Sequence, residues 1–303
     1  MNLWQRFLQR QAHRQNRKQD KREEQGKRQQ WFLLAGQDTG DVPQPEHLTP
    51  LYPPSNTFWA DPFLWRRDGR YFIFFEDFPY VTWRGRISVL EIDATGRQIS
   101  EPVPVLEEPY HLSYPFLFEH NGELYMMPEK CSQGRVDLYR CTRFPDQWIY
   151  ERTLVSGLKI VDSTLIEHEG RWWLLAAAKR GRVRINESLF AFYADSPLSD
   201  NWTPHPLNPL VRNLSCGRPG GRIHTDNQGR LLRPAQDCIK RYGYGLHLQQ
   251  ILKLTTTDYQ EQTVWSGMAS AMNTDWRAMH HLDRHQGMMV MDAQRLIPLE
   301  QAE

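Results

Sequence analysis

Phe58-Trp59-Ala60-Asp61-Pro62-Phe63-Leu64-Trp65 runs into Arg66-Arg67-Asp68-Gly69-Arg70 and then Tyr71-Phe72-Ile73-Phe74-Phe75-Glu76. Aromatic and β-branched residues suit a pleated, half-buried surface. An Asp-Gly pair between two such runs signals a hairpin. Asp61 is a carboxylate set just ahead of an apolar run, and a buried carboxylate needs partners or a task.

The phrase recurs. Asp61 leads to Gly69, Tyr114 to Gly122 and Asp162 to Gly170, each glycine eight residues on and each followed by an apolar run. Fainter copies run from Gly221 to Gly229 and from Met279 to Gly287. The five starts lie 48–59 residues apart. A period of that size marks radial repeats, and predicts an all-β, five-bladed β-propeller. If each repeat begins an inner strand, its first residue lies beside the central channel.

Composition sets the bounds. The chain has 303 residues, 40% hydrophobic and 24% charged, with a formal net charge of +1. These are ordinary values for a soluble globular chain, and no global field argues for nucleic acid. Eleven Trp residues suit blade seams or sugar-stacking platforms alike. The four cysteines (Cys131, Cys141, Cys216, Cys238) match no zinc spacing and read as free thiols. Neither a metal nor a cofactor is expected. No apolar core follows Met1, and no apolar run of about 18 residues occurs, so the default expectation is a cytoplasmic location.

Residues 1–30 form a basic arm, helical or disordered, and residues 31–303 form the propeller. The arm carries nine Lys/Arg against three acids, with a short apolar stripe at Leu3, Trp4, Phe7 and Leu8. It reads as a solvated extension. The alternative is weak contact with an anionic inner membrane face. Trp31–Ala35 is expected to close the ring against the last blade, and Asp38–Pro54 to be a loop.

Five separated motifs carry a resemblance: Trp59-Ala60-Asp61-Pro62, His111-Leu112-Ser113-Tyr114-Pro115, Met127-Pro128-Glu129, Asp162-Ser163-Thr164-Leu165 and Arg233-Pro234-Ala235-Gln236-Asp237. Together they resemble the N-terminal domain of plant glucosamine inositolphosphorylceramide transferase and its stand-alone bacterial relatives, over roughly residues 50–295. That domain resembles the five-bladed arabinanase, levansucrase and invertase propellers. The resemblance implies a first-blade Asp as base or nucleophile, a third-blade Asp that tunes a proton donor, and a Glu donor. Glycosyl transfer needs one carboxylate to attack or activate water and one carboxylic acid to protonate the leaving oxygen. Asp61 matches the base and Asp162 the modulator. Where a later blade should offer the donor, this chain has Gly217-Arg218-Pro219-Gly220-Gly221. Glu129, Glu76 and Asp237 are the nearest substitutes, with Glu129 foremost.

The expected catalytic set is therefore Asp61, Asp162 and Glu129. The expected substrate contacts are Trp59, His111, Tyr114, Arg218, Gln236, Asp237 and His280. For Arg218, anion binding competes with a blade-to-blade ion pair. Of His280 and His281, at most one should reach the channel, because adjacent strand residues face opposite ways. Three functions stay open: a glycosidase or transglycosylase acting on a glycan or glycoconjugate, a non-catalytic glycan-binding module for a glycosyltransferase partner, and a protein scaffold. The resemblance implies that the plant relatives carry a separate transferase domain, which favours an accessory or independent role here.

Overall fold

The structure is a computed structural model and describes residues 24–40 and 42–299. The expected arm up to residue 23 lies outside the described residues. Strands β1 (Lys27–Gln37) and β2 (Thr49–Leu51) belong to the blade that closes the ring. Blade one holds β3 (Thr57–Arg67), β4 (Arg70–Pro79), β5 (Arg86–Ile92) and β6 (Val103–Leu106). Blade two holds β7 (Ser113–His120), β8 (Glu123–Glu129), β9 (Arg135–Arg143) and β10 (Gln147–Ser156). Blade three holds β11 (Lys159–His168), β12 (Arg171–Lys179), β13 (Ser188–Ala194) and the short β14 (Thr203–Pro204) and β15 (Val211–Arg212). Blade four holds β16 (His224–Thr225), β17 (Leu231–Asp237), β18 (Gly245–Leu254) and β19 (Tyr259–Met268). Blade five runs β20 (Leu282–His285), β21 (Met288–Pro298), then β1 and β2.

The ring is closed by its two ends. β1 pairs with β21 from Lys27↔Pro298 to Gln37↔Met288. β1 thus begins inside the stretch assigned to the arm. The expected loop at 38–54 contains β2, because Thr49–Leu51 pairs with Leu33–Ala35 and covers the outer edge of the blade. Apolar clusters fill every seam, among them Phe63, Phe116 and Leu174 over blades one to three, Ile223 and Leu189 between three and four, and Leu34, Leu246 and Met291 between four and five.

The hairpin turns keep the repeat. Asp68-Gly69, Asn121-Gly122, Glu169-Gly170 and Gln286-Gly287 all take positive φ at both residues, the geometry of a two-residue turn that matches strand twist. Eight residues upstream, a second feature recurs. Asp61-Pro62, Tyr114-Pro115 and Asp162-Ser163 each place two residues opposite one, so each inner strand carries a β-bulge at the same register. Asp61, Tyr114 and Asp162 sit at φ 51°, 45° and 52°. For residues with a Cβ that conformation costs roughly 1–3 kcal/mol, and it persists only where the surroundings enforce it. Bulges of this kind re-aim a side chain. Here they turn the first residue of three blades into the channel.

Blade four breaks the pattern for a steric reason. Gly221 (φ 135°) lies against blade five, where a Cβ would stand 1.8 Å from the Leu282 carbonyl oxygen. No carboxylate can occupy that position. Gly221→Ala is expected to cost roughly 3 kcal/mol through overpacking. Gly229→Ala has open space around its Cβ and should cost about 1 kcal/mol from positive φ alone. Denaturant midpoints of the two variants measure the difference, and equal costs would contradict the contact.

Candidate functional site at the channel mouth

The mouth is the end at which the inner strands begin. Asp61, Asp162 and Glu76 are buried there, and Glu129, the last residue of β8, is half-buried. Asp162 is held by blade four: Arg218 Nε donates to its Oδ2 at 2.5 Å and Nη2 to Oδ1 at 3.3 Å. Gln236 Nε2 adds a 3.2 Å bond to Oδ2. Arg218 also donates to Asn186 Oδ1 at 2.8 Å. Its fork is therefore spent on an inter-blade ion pair, the commoner of the two readings offered for it.

Asp61 is oriented from blade five. Its backbone N–H donates to Asp292 Oδ2 at 3.1 Å. Asp292 also accepts the backbone N–H groups of His280 and His281 at 2.9 and 3.0 Å, and its Oδ2 stands 2.7 Å from His280 Nδ1. His280 Nε2 then lies 3.5 Å from Asp61 Oδ1, and His281 Nδ1 lies 3.7 Å from the same atom. Both histidines reach the channel, against the expectation of one. The reason is that residues 279–281 are not strand: β20 begins only at Leu282, and both amides turn onto Asp292. Trp31 from β1 stacks on His280 at 4.2 Å, and Tyr242 meets the same ring edge-on at 4.9 Å.

Below this cluster the channel is filled. Tyr114 is fully buried, accepts the Gly221 N–H at 3.0 Å, and packs edge-on against Phe63 and His281. Arg222 lies over Phe116, bonded to Asp283 and the Leu117 carbonyl. These side chains close the channel beneath the carboxylates. His111 borders it. The Gly85 N–H donates to its Nδ1 at 2.9 Å, which leaves the Nε2 proton facing Glu76 Oε1 at 3.4 Å. Two expected contacts fall elsewhere. Trp59 packs on Phe75 in the interior, and Asp237 pairs with His247 at 3.2 Å. A groove of about 700 Å³ lined by Arg67, Phe72 and Phe144 lies at the opposite end of the blades, far from these carboxylates.

Crowding of acids in a dry pocket separates their proton affinities. Burial raises Asp61 to about 7, with His280 pulling it down and Asp162 pushing it up. Burial, then the Asp162 charge, hold Glu129 well above the usual carboxylate range, with a hydrogen bond to Asp162 acting in the same sense. Burial and the charges of Asp61 and Glu129 raise Glu76 in the same way. Burial alone would lower His280, but Asp292 and Asp61 raise it, while His281 falls to about 3 and stays neutral. Asp61, His280 and Asp292 could each offer a metal-ligand atom within 4.8 Å of one another. Asp292, however, already accepts three backbone N–H groups, which a cation would have to displace.

Asp61 carries a sign prediction. A carboxyl whose folded pKa is raised contributes stability that is full below its unfolded value and lost as pH rises through the folded value. The window here is about pH 4 to 7. Asp61→Asn mimics the protonated form. The melting temperature of the variant relative to wild type should therefore climb across that window, at up to ~1.4 kcal/mol per pH unit in stability. A difference that stays flat with pH would contradict the burial of an ionising Asp61.

A five-bladed propeller with a carboxylate-lined mouth is the class that fold and site define. Residues 48–296 match the family described as glucosamine inositolphosphorylceramide transferase 1, N-terminal, and the chain belongs to that family. Its relatives include glucosamine inositolphosphorylceramide transferase 1 of Oryza sativa subsp. japonica, 38% identical over 255 residues, or 80% of this chain and 34% of that protein. The Arabidopsis thaliana protein of the same name is 36% identical over 238 residues, 76% of this chain and 30% of that protein. The chain spans about a third of the length of these curated relatives. Among solved structures, the catalytic domain of the Coprinopsis cinerea GH62 alpha-L-arabinofuranosidase superposes with a TM-score of 0.58 at 13% identity, covering 80% of this chain and 98% of that one. The exo-beta-1,3-galactanase of Clostridium thermocellum gives 0.53 at 11%, covering 78% and 60%. These two share the fold.

Proposed function

We propose that the mouth pocket takes a sugar of a glycoconjugate and performs acid–base chemistry at its glycosidic bond. Glu129 is the proton donor, Asp61 the base or nucleophile, and Asp162 the carboxylate that keeps the Glu129 proton in place. The observation that carries this reading is a pair of carboxyls in one channel mouth, both raised into the range where a carboxyl can hold or release a proton. Asp61 is raised to about 7 by burial, and Glu129 is raised well above the usual carboxylate range by burial and then by the Asp162 charge. Acid and base roles call for carboxyls whose surroundings tune their proton affinities away from the free value. Glu129 also replaces, from blade two, the donor that Gly221 cannot supply from blade four.

A second reading is favoured by the full engagement of Asp162 with Arg218 and Gln236: a pocket that holds a glycan for a partner glycosyltransferase, without turnover. A screen of glycans and aryl glycosides against wild type and Asp61→Asn separates the two. Turnover in wild type, lost in Asp61→Asn with binding retained, supports the enzyme. Binding without turnover in either protein supports the module. Silence in both overturns the carbohydrate reading.

A further inference from the structure

The mouth is acidic inside, yet one sector of its rim is cationic. Lys159 and Lys179 stand directly opposite each other where β11 starts and β12 ends. The loop that follows adds Arg180, Arg182 and Arg184 before β13 begins at Ser188. All five side chains are exposed. Like charges facing each other across a strand pair are destabilising, and nothing nearby offsets them. Among the described residues no carboxylate lies within ion-pair distance of any of the five, whereas the other mouth cations Arg84, Arg86, Arg135, Arg212 and Arg218 each have one. Glu187, the acid of this loop, is engaged by Arg212 at 2.9 Å.

The sector adjoins the pocket. Asn186, at the end of the same loop, accepts the 2.8 Å bond from Arg218, which in turn holds Asp162. Lys159 is three residues from Asp162 on one strand. A ligand that spans from Glu129 to the rim crosses from carboxyls to guanidinium groups without an ion-pair partner.

We propose that this rim is a phosphate subsite: the ligand is a sugar carrying a phosphate, with the sugar toward Glu129 and the phosphate on Arg180, Arg182 and Arg184. This deepens the proposed function and rests on it only for the placement of the sugar. Arginine forks match phosphate oxygens bidentately, and lysines add charge. Neutralising repelling cations makes binding favourable twice over, by attraction and by relief of repulsion.

The test uses the full chain with glucose 1-phosphate and myo-inositol 1-phosphate, each against its unphosphorylated sugar, by calorimetry or ligand-observed NMR. Phosphorylated probes should bind at least about tenfold tighter, the scale of a charged hydrogen bond. That advantage should weaken with salt and vanish in the triple variant Arg180→Gln/Arg182→Gln/Arg184→Gln. Lys159→Gln/Lys179→Gln should reduce it in part, and keeps the test open if the triple variant misfolds. Sedimentation with phosphatidylcholine vesicles, with and without phosphatidylinositol, distinguishes the source. Retention that needs the inositol lipid and the arginines assigns the phosphate to a lipid headgroup, while binding of the free esters alone assigns it to a soluble one. Equal affinity for both members of each sugar pair, together with no vesicle selectivity, overturns the proposal, as does an advantage that survives both variants. A phosphate preference that stands while Glu129→Gln and Asp61→Asn change neither binding nor turnover upholds the subsite and sinks the carboxylate reading.

Discussion

Asp292→Ala is expected to unfold much of the ring-closing blade and to cost about 3–5 kcal/mol, the scale of removing one partner from a buried charged network. The carboxylate is fully buried and accepts N–H groups from Asp61, His280 and His281 while pairing with His280. Alanine leaves three backbone donors without an acceptor in a dry channel, and each orphaned buried donor costs about 1–3 kcal/mol. His280 also loses the partner that raises its pKa. Asp292→Asn keeps the shape and one acceptor oxygen, so it should fall between alanine and wild type. Denaturant unfolding and near-UV circular dichroism read the effect. A loss below ~1 kcal/mol for alanine would mean that Asp292 is not what orients Asp61.

The second large effect is chemical. Glu129→Gln should lower turnover by roughly 10²–10⁴, the range for a general acid, and the loss should depend on the leaving group. A leaving group that departs as a stable anion needs no proton, so activated aryl glycosides should retain far more activity than alkyl glycosides. Asp61→Asn should lose activity on both, because attack on the anomeric carbon is needed in either case. A Glu129→Gln loss independent of the leaving group would remove the proton-donor role and leave Glu129 a binding residue.

Much of the architecture is local and could be read from the chain. A two-residue turn with Gly at its second position needs only its own neighbours, so four of the five hairpins announce themselves at Gly69, Gly122, Gly170 and Gly287. Their common offset from Asp61, Tyr114 and Asp162 puts the bulge positions into one register by spacing alone. The rest depends on closure of the ring. Trp31 meets His280 across most of the chain's length, and Asp292 reaches back to Asp61. No spacing encodes either contact. One signal was present: Asp292 interrupts the apolar run Met288–Ala293, just as Asp61 precedes one. The pairing of His280 and His281 on one acceptor was hidden because the strand rule for alternate facing does not hold before β20 begins. Asp237 shares β17 with Gln236 but faces the other way and pairs with His247, so only Gln236 joins the cluster.

Catalysis at the mouth requires a Glu129 that titrates well above the usual range and an Asp61 that ionises near neutrality. Carboxyl carbon chemical shifts followed from pH 4 to 9 in protein labelled at Asp and Glu, with Asp61→Asn and Glu129→Gln for assignment, measure both directly. Glu129 should titrate well above the ordinary carboxylate range and Asp61 should show a midpoint near 7. If both titrate in the ordinary range around 4, the pocket holds two carboxylates and no acid, and the acid–base account is wrong.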